Sequence, residues 1–357
     1  MSDVILEVSG GVGRITLNRP KAINALDHAM VREIAPVLAQ WATDDTVDTV
    51  LLTGAGERGL CAGGDIVSIY HDAKDGGSAR TSGGSKDFWR EEYILNAAIA
   101  HFPKPFVAIM DGIVMGGGVG LSAHANTRIV TERSKIAMPE VGIGFIPDVG
   151  GTYLLSRAPG EIGTHFALTT ARMNAADAIA AGFADHYIPS DKLEDFYSAL
   201  ETVSVGEAVA TYSEPAPESA VAGQQEWIDK CYAGDDVQGI IDALAASSVP
   251  EAQQAAQDIA SKSPVSLAVT LRSLRRAATL PTLEAVLDEE YRVSVASLSS
   301  HDLVEGIRAQ VVEKDRNPQW QPRTLADVTT EDIDRYFAPL GDAELGLSNA
   351  HTEGEQS

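Results

Sequence analysis

The chain predicts an α/β architecture with parallel strand pairing, and three observations lead there. Thr49-Val50-Leu51-Leu52-Thr53 and Phe106-Val107-Ala108-Ile109-Met110 are short, unbroken apolar runs, as expected of strands covered on both faces. Segments of helical period alternate with strand-like runs up to about residue 190. Beyond that point the pattern becomes mainly helical.

Taken in order, residues 4–8 and 14–18 read as strands joined through Gly10-Gly11, a hairpin. Asp27 is placed to cap a helix whose apolar residues Met30, Ile34, Val37, Leu38 and Trp41 recur at helical spacing. The stretch from Asp72 to Ser85, rich in Gly, Ser and charge, reads as a surface loop, and residues 213–223 form a second break. Helices are expected over 236–247, 250–260, 264–279, 282–298 and 302–314. From Asp342 onward, four carboxylates and no Lys or Arg predict an unstructured tail. The expected division is a core over 1–200, a helical region over 201–340 and a tail over 341–357.

Of the 357 residues, 51 are acidic and 27 basic, a formal net charge of −24. That balance argues against nucleic-acid binding, which needs clustered Lys and Arg, and against docking on anionic membranes. No apolar run approaches the roughly 20 residues of a membrane span. The first residues lack the charged and apolar parts of a signal peptide, so a cytoplasmic location is expected. Cys61 and Cys231 make neither a disulfide framework nor a zinc pattern. Cys61 reads as a packing residue, since no His stands beside it in sequence to activate a thiol.

Two glycine-rich turns stand out: Cys61-Ala62-Gly63-Gly64-Asp65 and Met115-Gly116-Gly117-Gly118-Val119-Gly120-Leu121. Neither is a nucleotide fingerprint, because the GxGxxG order and the Gly-Lys-Ser/Thr ending are both missing. Each alone is equally a tight turn. Facing one pocket, two such bends offer one N–H each to a carbonyl oxygen that gains negative charge, an oxyanion hole.

In combination, the residues resemble the enoyl-CoA hydratase/isomerase (crotonase) superfamily. Asn18-Arg19-Pro20-Lys21-Ala22-Ile23-Asn24-Ala25-Leu26, the CAGGD turn, the MGGGVGL turn and Ala137-Met138-Pro139-Glu140 carry the likeness over roughly residues 4–200. The resemblance implies a ββα spiral core and oxyanion donors at the N–H groups of Gly64 and Gly117. It also implies a coenzyme A cleft lined by Lys21, Ala22, Ala25 and the segment Gly64–Val67, which includes Asp65 and Ile66, with Gly116 a further substrate-binding residue. Where family hydratases often carry a Lys near the adenine, this chain has Val67. Relatives commonly assemble as trimers or pairs of trimers, so the resemblance allows a homo-oligomer of that kind, while the longer C-terminal portion of this chain could alter or block such assembly; the oligomeric state stays open.

The chemistry turns on carboxylates. A typical family hydratase uses two glutamates, one three residues after the oxyanion glycine and one in the Pro-Glu turn. Here the first position is Gly120, and only Glu140 of that pair is present. Other acids are Asp148 in Phe145-Ile146-Pro147-Asp148-Val149-Gly150-Gly151 and the pair Glu91-Glu92. Asp148 is equally an N-cap, Glu140 a solvated loop acid, and the pair a solvated helix edge. Periodicity puts Glu91 and Glu92 on opposite flanks of an apolar stripe and does not choose between them.

A closer resemblance, to the 3-hydroxyisobutyryl-CoA hydrolase branch, does choose. It rests on Arg90–Asn96, Phe145–Gly151, Met115–Leu121 and the late stretch Asp315-Arg316-Asn317-Pro318-Gln319-Trp320-Gln321-Pro322. It implies that Glu92, Gly117, Glu140 and Asp148 are site residues, with Glu91 outward or supporting. The implied reaction is hydrolysis of a short β-hydroxyacyl-CoA; either Glu140 activates water, with Asp148 orienting it or returning a proton, or the Glu140 carboxylate attacks directly to form a mixed anhydride that water then opens. A hydratase or isomerase of the same superfamily is the alternative. No metal and no resident cofactor is expected, coenzyme A being part of the substrate. Trp320 and Phe337 read as anchors for the C-terminal segment.

Overall fold

The computed structural model describes residues 2–74 and 84–348. They form two compact units interleaved in sequence. The first holds residues 2–64, 94–137 and 172–220; the second holds 65–74, 84–93, 138–171 and 221–348.

The first unit is built on a six-stranded sheet. The strands are β1 (Val4–Ser9), β2 (Val12–Leu17), β3 (Thr49–Gly54), β4 (Phe106–Met110), β6 (Thr127–Val130) and β8 (His186–Tyr187), in the order β1-β2-β3-β4-β6-β8. Only the β1–β2 hairpin is antiparallel, with Ser9 opposite Val12 across Gly10-Gly11. The other pairs are parallel, as the apolar runs of β3 and β4 predict. A second, two-stranded parallel sheet joins β5 (Ile113–Met115) to β7 (Lys135–Ala137).

Helices α1 (His28–Trp41), α4 (Gly117–Ser122), α7 (Ala175–Ala180), α8 (Leu193–Leu200) and α9 (Val205–Tyr212) belong to this unit. The Asp27 side chain accepts from the N–H of Met30, so the predicted cap is present. Val12, Leu51, Val107 and Ile129 from the sheet pack with Ile188, Phe196 and Leu200 into one apolar core.

The second unit is helical: α2 (Ile66–Lys74), α5 (Gly151–Leu155), α6 (Ile162–Thr169), α10 (Gln225–Tyr232), α11 (Val237–Ala245), α12 (Pro250–Ala260), α13 (Pro264–Ala277), α14 (Leu283–Ser297), α15 (His301–Ile307) and α16 (Thr330–Asp334). The chain crosses from the second unit to the first within α3 (Ser85–Ala100), at Tyr93/Ile94. Ile146, Val265, Val269, Val293 and Tyr336 form an apolar cluster here. Trp320 donates its indole N–H to the Ser261 carbonyl, and Phe337 lies beneath Arg272, so both anchor the C-terminal segment as read.

Three local readings need correction. Asp72 to Lys74 close α2, and the Asp72 carboxylate accepts from the N–H of Ser85; the remainder of the loop, 75–83, lies outside the described residues. The helix expected over 302–314 is α15 followed by a wider π-turn at Arg308–Val312. Arg308 gathers Glu305, Glu313 and Asp315 there, and the chain leaves helical conformation at Lys314. Residues 342–348 are not loose. Glu344 pairs with Arg292, and Asp288 accepts from the N–H of Leu347 and Ser348, so this part of the segment expected to be unstructured is bound to α14. The rest of the expected tail lies outside the described residues. Among the described residues no helix is long and apolar enough to cross a membrane.

Candidate active site

In the first unit, the segment 19–25 and the two glycine bends are locked together by main-chain bonds. Asn24 is fully buried in left-handed conformation; its side chain accepts from the N–H of Arg19 and donates to the carbonyls of Ala55 and Gly59. Leu26 N–H donates to the Gly63 carbonyl (2.8 Å) and Ala62 N–H to that of Ile23 (2.9 Å). Lys21 and Ala22 are exposed on a one-turn 3-10 helix, and Ala25 is half-buried.

The second bend is stitched to the first. Cys61 N–H donates to the Ile113 carbonyl and Met115 N–H to that of Cys61. A Cβ on Gly118 would lie 2.7 Å from the Cys61 carbonyl oxygen, so only glycine lets the bends adjoin so closely. Cys61 itself is buried. Gly116, at φ 46, turns the chain into α4, whose first residue is Gly117. Among the described residues no main-chain carbonyl accepts from the N–H of Gly64 or of Gly117. A first-turn amide has no partner inside its helix, and two unused donors on adjoining bends suit an incoming oxyanion. Gly120 is buried in α4 and offers no proton-transfer group.

The acids lie in the second unit, together with Asp65 and Ile66, both half-buried at the start of α2. Glu92, Glu140 and Asp148 are 2%, 5% and 5% exposed. The solvated alternatives therefore fail, and Glu91, on the neighbouring position of α3, is only half-buried. Asp148 is not an N-cap. Gly150 holds that position on α5, and the Asp148 carboxylate instead accepts from the Tyr93 hydroxyl at 2.7 Å. That hydroxyl also meets Ser294 Oγ at 2.7 Å.

Sequence reading missed a fourth acid. Glu290 on α14 is 1% exposed and accepts from Gly150 N–H (2.6 Å), Thr152 N–H (2.9 Å) and Thr152 Oγ1 (2.5 Å). The turn it holds is costly: Val149, β-branched, sits at φ 55 ahead of Gly150 at φ 77. A non-glycine residue there costs about 1–3 kcal/mol unless its surroundings impose it. The signal for Glu290 was available in the period of α14. It lies four residues after Val286, three after Leu287 and three before Val293, on the apolar face.

Burial dominates the electrostatics. It pushes the Asp148 carboxyl up to about 7, against the opposing Tyr93 hydrogen bond, and the Glu290 carboxyl up to about 8, against its three donors. Glu92 is pushed well above the ordinary range by burial and then by Asp148; Glu140 likewise by burial, then Asp148, with a smaller push from Glu290. No cation counts among the influences on any of the four. One oxygen of Glu92 and one of Glu140 have no hydrogen-bond partner among the described residues. Buried acids with raised proton affinity and spare bonding capacity suit proton transfer and substrate recognition.

The family model described as enoyl-CoA hydratase/isomerase matches residues 12–337. The chain is 44% identical to the rat protein named "3-hydroxyisobutyryl-CoA hydrolase, mitochondrial", over 96% of this chain and 91% of the relative. It is 39% identical to the human protein of the same name, over 96% and 90%. A solved structure titled as a carnitinyl-CoA dehydratase from Mycobacterium thermoresistibile superposes with a TM-score of 0.93 at 59% identity, covering 97% of this chain and 98% of that one. Another, titled as an enoyl-CoA hydratase from Rhodobacter sphaeroides, gives 0.90 at 43%, covering 96% and 99%. From fold, glycine bends, family model and relatives alike, the chain belongs to the enoyl-CoA hydratase/isomerase family.

Proposed function

We propose that the protein hydrolyses a short β-hydroxyacyl-CoA thioester, 3-hydroxyisobutyryl-CoA, to 3-hydroxyisobutyrate and coenzyme A. The observation that carries this reading is the set of buried acids. Glu140 and Asp148 are present and shielded from water, while Gly120 stands where a family hydratase would have its other glutamate. The naming of the rat and human relatives supports it.

In this mechanism the thioester oxygen accepts from the N–H groups of Gly64 and Gly117. Burial favours the protonated form of Glu140; it is the ionised form, disfavoured and for that reason more basic, that takes a proton from water while the water oxygen bonds to the acyl carbon. The resulting oxyanion is stabilised more than the ground state, which is what lowers the barrier. Collapse breaks the C–S bond, and Asp148 returns a proton to the departing thiolate. Glu92, whose burial favours the protonated form, hydrogen-bonds the 3-hydroxyl. Lys21, Ala22, Ala25, Asp65, Ile66 and Gly116 contact the coenzyme A portion.

The titles of the two solved structures favour a second reading, addition or removal of water at a carbon–carbon double bond. Purified protein with 3-hydroxyisobutyryl-CoA and crotonyl-CoA, followed for free thiol and for enone absorbance in parallel, separates the two. Hydrolysis predicts thiol release from the hydroxy ester. Absorbance loss with crotonyl-CoA, and no thiol from either ester, would transfer the assignment to a hydratase.

A further inference from the structure

The second unit holds more apparatus around Asp148 than the mechanism above uses. Two residues one helical turn apart on α14, Glu290 and Ser294, reach Asp148 by separate routes. Glu290 accepts from the amides of Gly150 and Thr152 and from the Thr152 hydroxyl, two and four residues after Asp148. Ser294 binds the Tyr93 hydroxyl that donates to the Asp148 carboxylate. Between these routes lies Val149 in left-handed conformation. A neutral side chain could cap a five-residue helix such as α5. A carboxylate that is 1% exposed, with no cation paired to it among the described residues, is an expensive way to do only that.

We propose that α14 is a positioning element for the reaction, Glu290 fixing the backbone turn that follows Asp148 and Ser294 fixing its carboxylate through Tyr93. The C-terminal helical region is thereby part of the catalytic apparatus rather than only its support. Glu290 and Ser294 touch no reacting atom in this account; they act through Asp148. The proposal rests on the hydrolase reading for its kinetic consequences and on the hydrogen bonds alone for its structural ones.

The test compares Glu290→Gln and Ser294→Ala with Glu289→Gln, a control on the same helix whose carboxylate pairs with Arg276 instead. For Glu290→Gln the expected result is a kcat lowered about 10- to 100-fold, with KM changed by less than about threefold. Ser294→Ala is expected to lower kcat in the same sense, and Glu289→Gln to leave it unchanged. Placed in an Asp148→Asn background, Glu290→Gln should cost less than about twofold further, because residues acting through one group are not additive. Hydrogen exchange supplies a readout that needs no turnover: the amides of Gly150 and Thr152 should exchange at least about tenfold faster in Glu290→Gln. Wild-type kcat in Glu290→Gln, an equal loss with and without Asp148, or unchanged exchange at those two amides each overturns the proposal. If the wild-type protein releases no thiol, the hydrolase reading has failed, and the exchange result alone decides the positioning claim. If Glu290→Gln does not fold, Thr152→Ala with the same two measurements replaces it.

Discussion

Replacing Asp148 with Asn should slow the enzyme and yet stabilise it, by an amount that depends on pH. In the folded chain burial raises the Asp148 carboxyl from 3.8 to about 7. A raised folded value means that the native state holds the proton more tightly than the unfolded chain. The associated stability is complete below pH 4, falls as pH rises, and is gone above about 7. Over (7 − 3.8) ≈ 3 units at 1.36 kcal/mol per unit, the loss approaches about 4 kcal/mol, of which roughly 2 falls between pH 5 and pH 7. Asparagine does not titrate, and its side-chain carbonyl still accepts from Tyr93. Thermal unfolding of Asp148→Asn and wild type at pH 5 and pH 8 reads the effect. The variant should gain several degrees relative to wild type at pH 8 and clearly less at pH 5, while kcat at pH 8 drops by about 10²–10⁴. Because the comparison is a difference between two pH values, packing changes common to both cancel. An equal shift at both would mean that Asp148 is not held with a raised proton affinity, and the reasoning fails.

Other consequences follow from single contacts. Glu140→Gln should lower thiol release by about 10²–10⁴ with KM nearly unchanged, since it removes the general base and little binding; full-rate release would exclude the role given to Glu140. Tyr93→Phe removes the hydroxyl bond that holds the Asp148 proton affinity down. A buried bond to a charged group is worth about 1.5–3 kcal/mol, so the Asp148 carboxyl should titrate about 1–2 units higher, read from its ¹³C chemical shift against pH. Gly118→Ala brings a Cβ to 2.7 Å from the Cys61 carbonyl. It should displace the 61–64 bend and lower kcat more than it raises KM, and steady-state kinetics at wild-type values would contradict that strain.

The glycine bends were legible because close backbone approach needs glycine, and the 19–25 segment through its resemblance to a family motif; that the Asn24 side chain bonds the backbone around its turn is seen only in the structure. The β1–β2 hairpin, the parallel apolar strands and the Asp27 cap were legible because their signals are local. Glu92 was not separable from Glu91 by period, because both flank the same stripe; burial separates them, and burial depends on what packs against α3. Trp89, for instance, stacks on Phe145 at 5.3 Å. Asp148 looked as much like a helix cap as a site acid because the residue that holds the start of α5, Glu290, lies about 140 residues away. Likewise, the order of residues 342–348 depends on Arg292 and Asp288, partners that composition does not reveal.

In the proposed mechanism one acyl oxygen accepts from the amides of Gly64 and Gly117, and Glu140 activates the water that attacks the acyl carbon. A crystal structure with a non-hydrolysable analogue of 3-hydroxyisobutyryl-CoA, its thioester sulfur replaced by methylene, tests that arrangement most directly. The account predicts the analogue's carbonyl oxygen within about 2.7–3.1 Å of both amide nitrogens, with a Glu140 oxygen near enough to hold a water against the carbonyl carbon. A carbonyl bound by neither amide, or one with Glu140 turned away from it, would contradict the account.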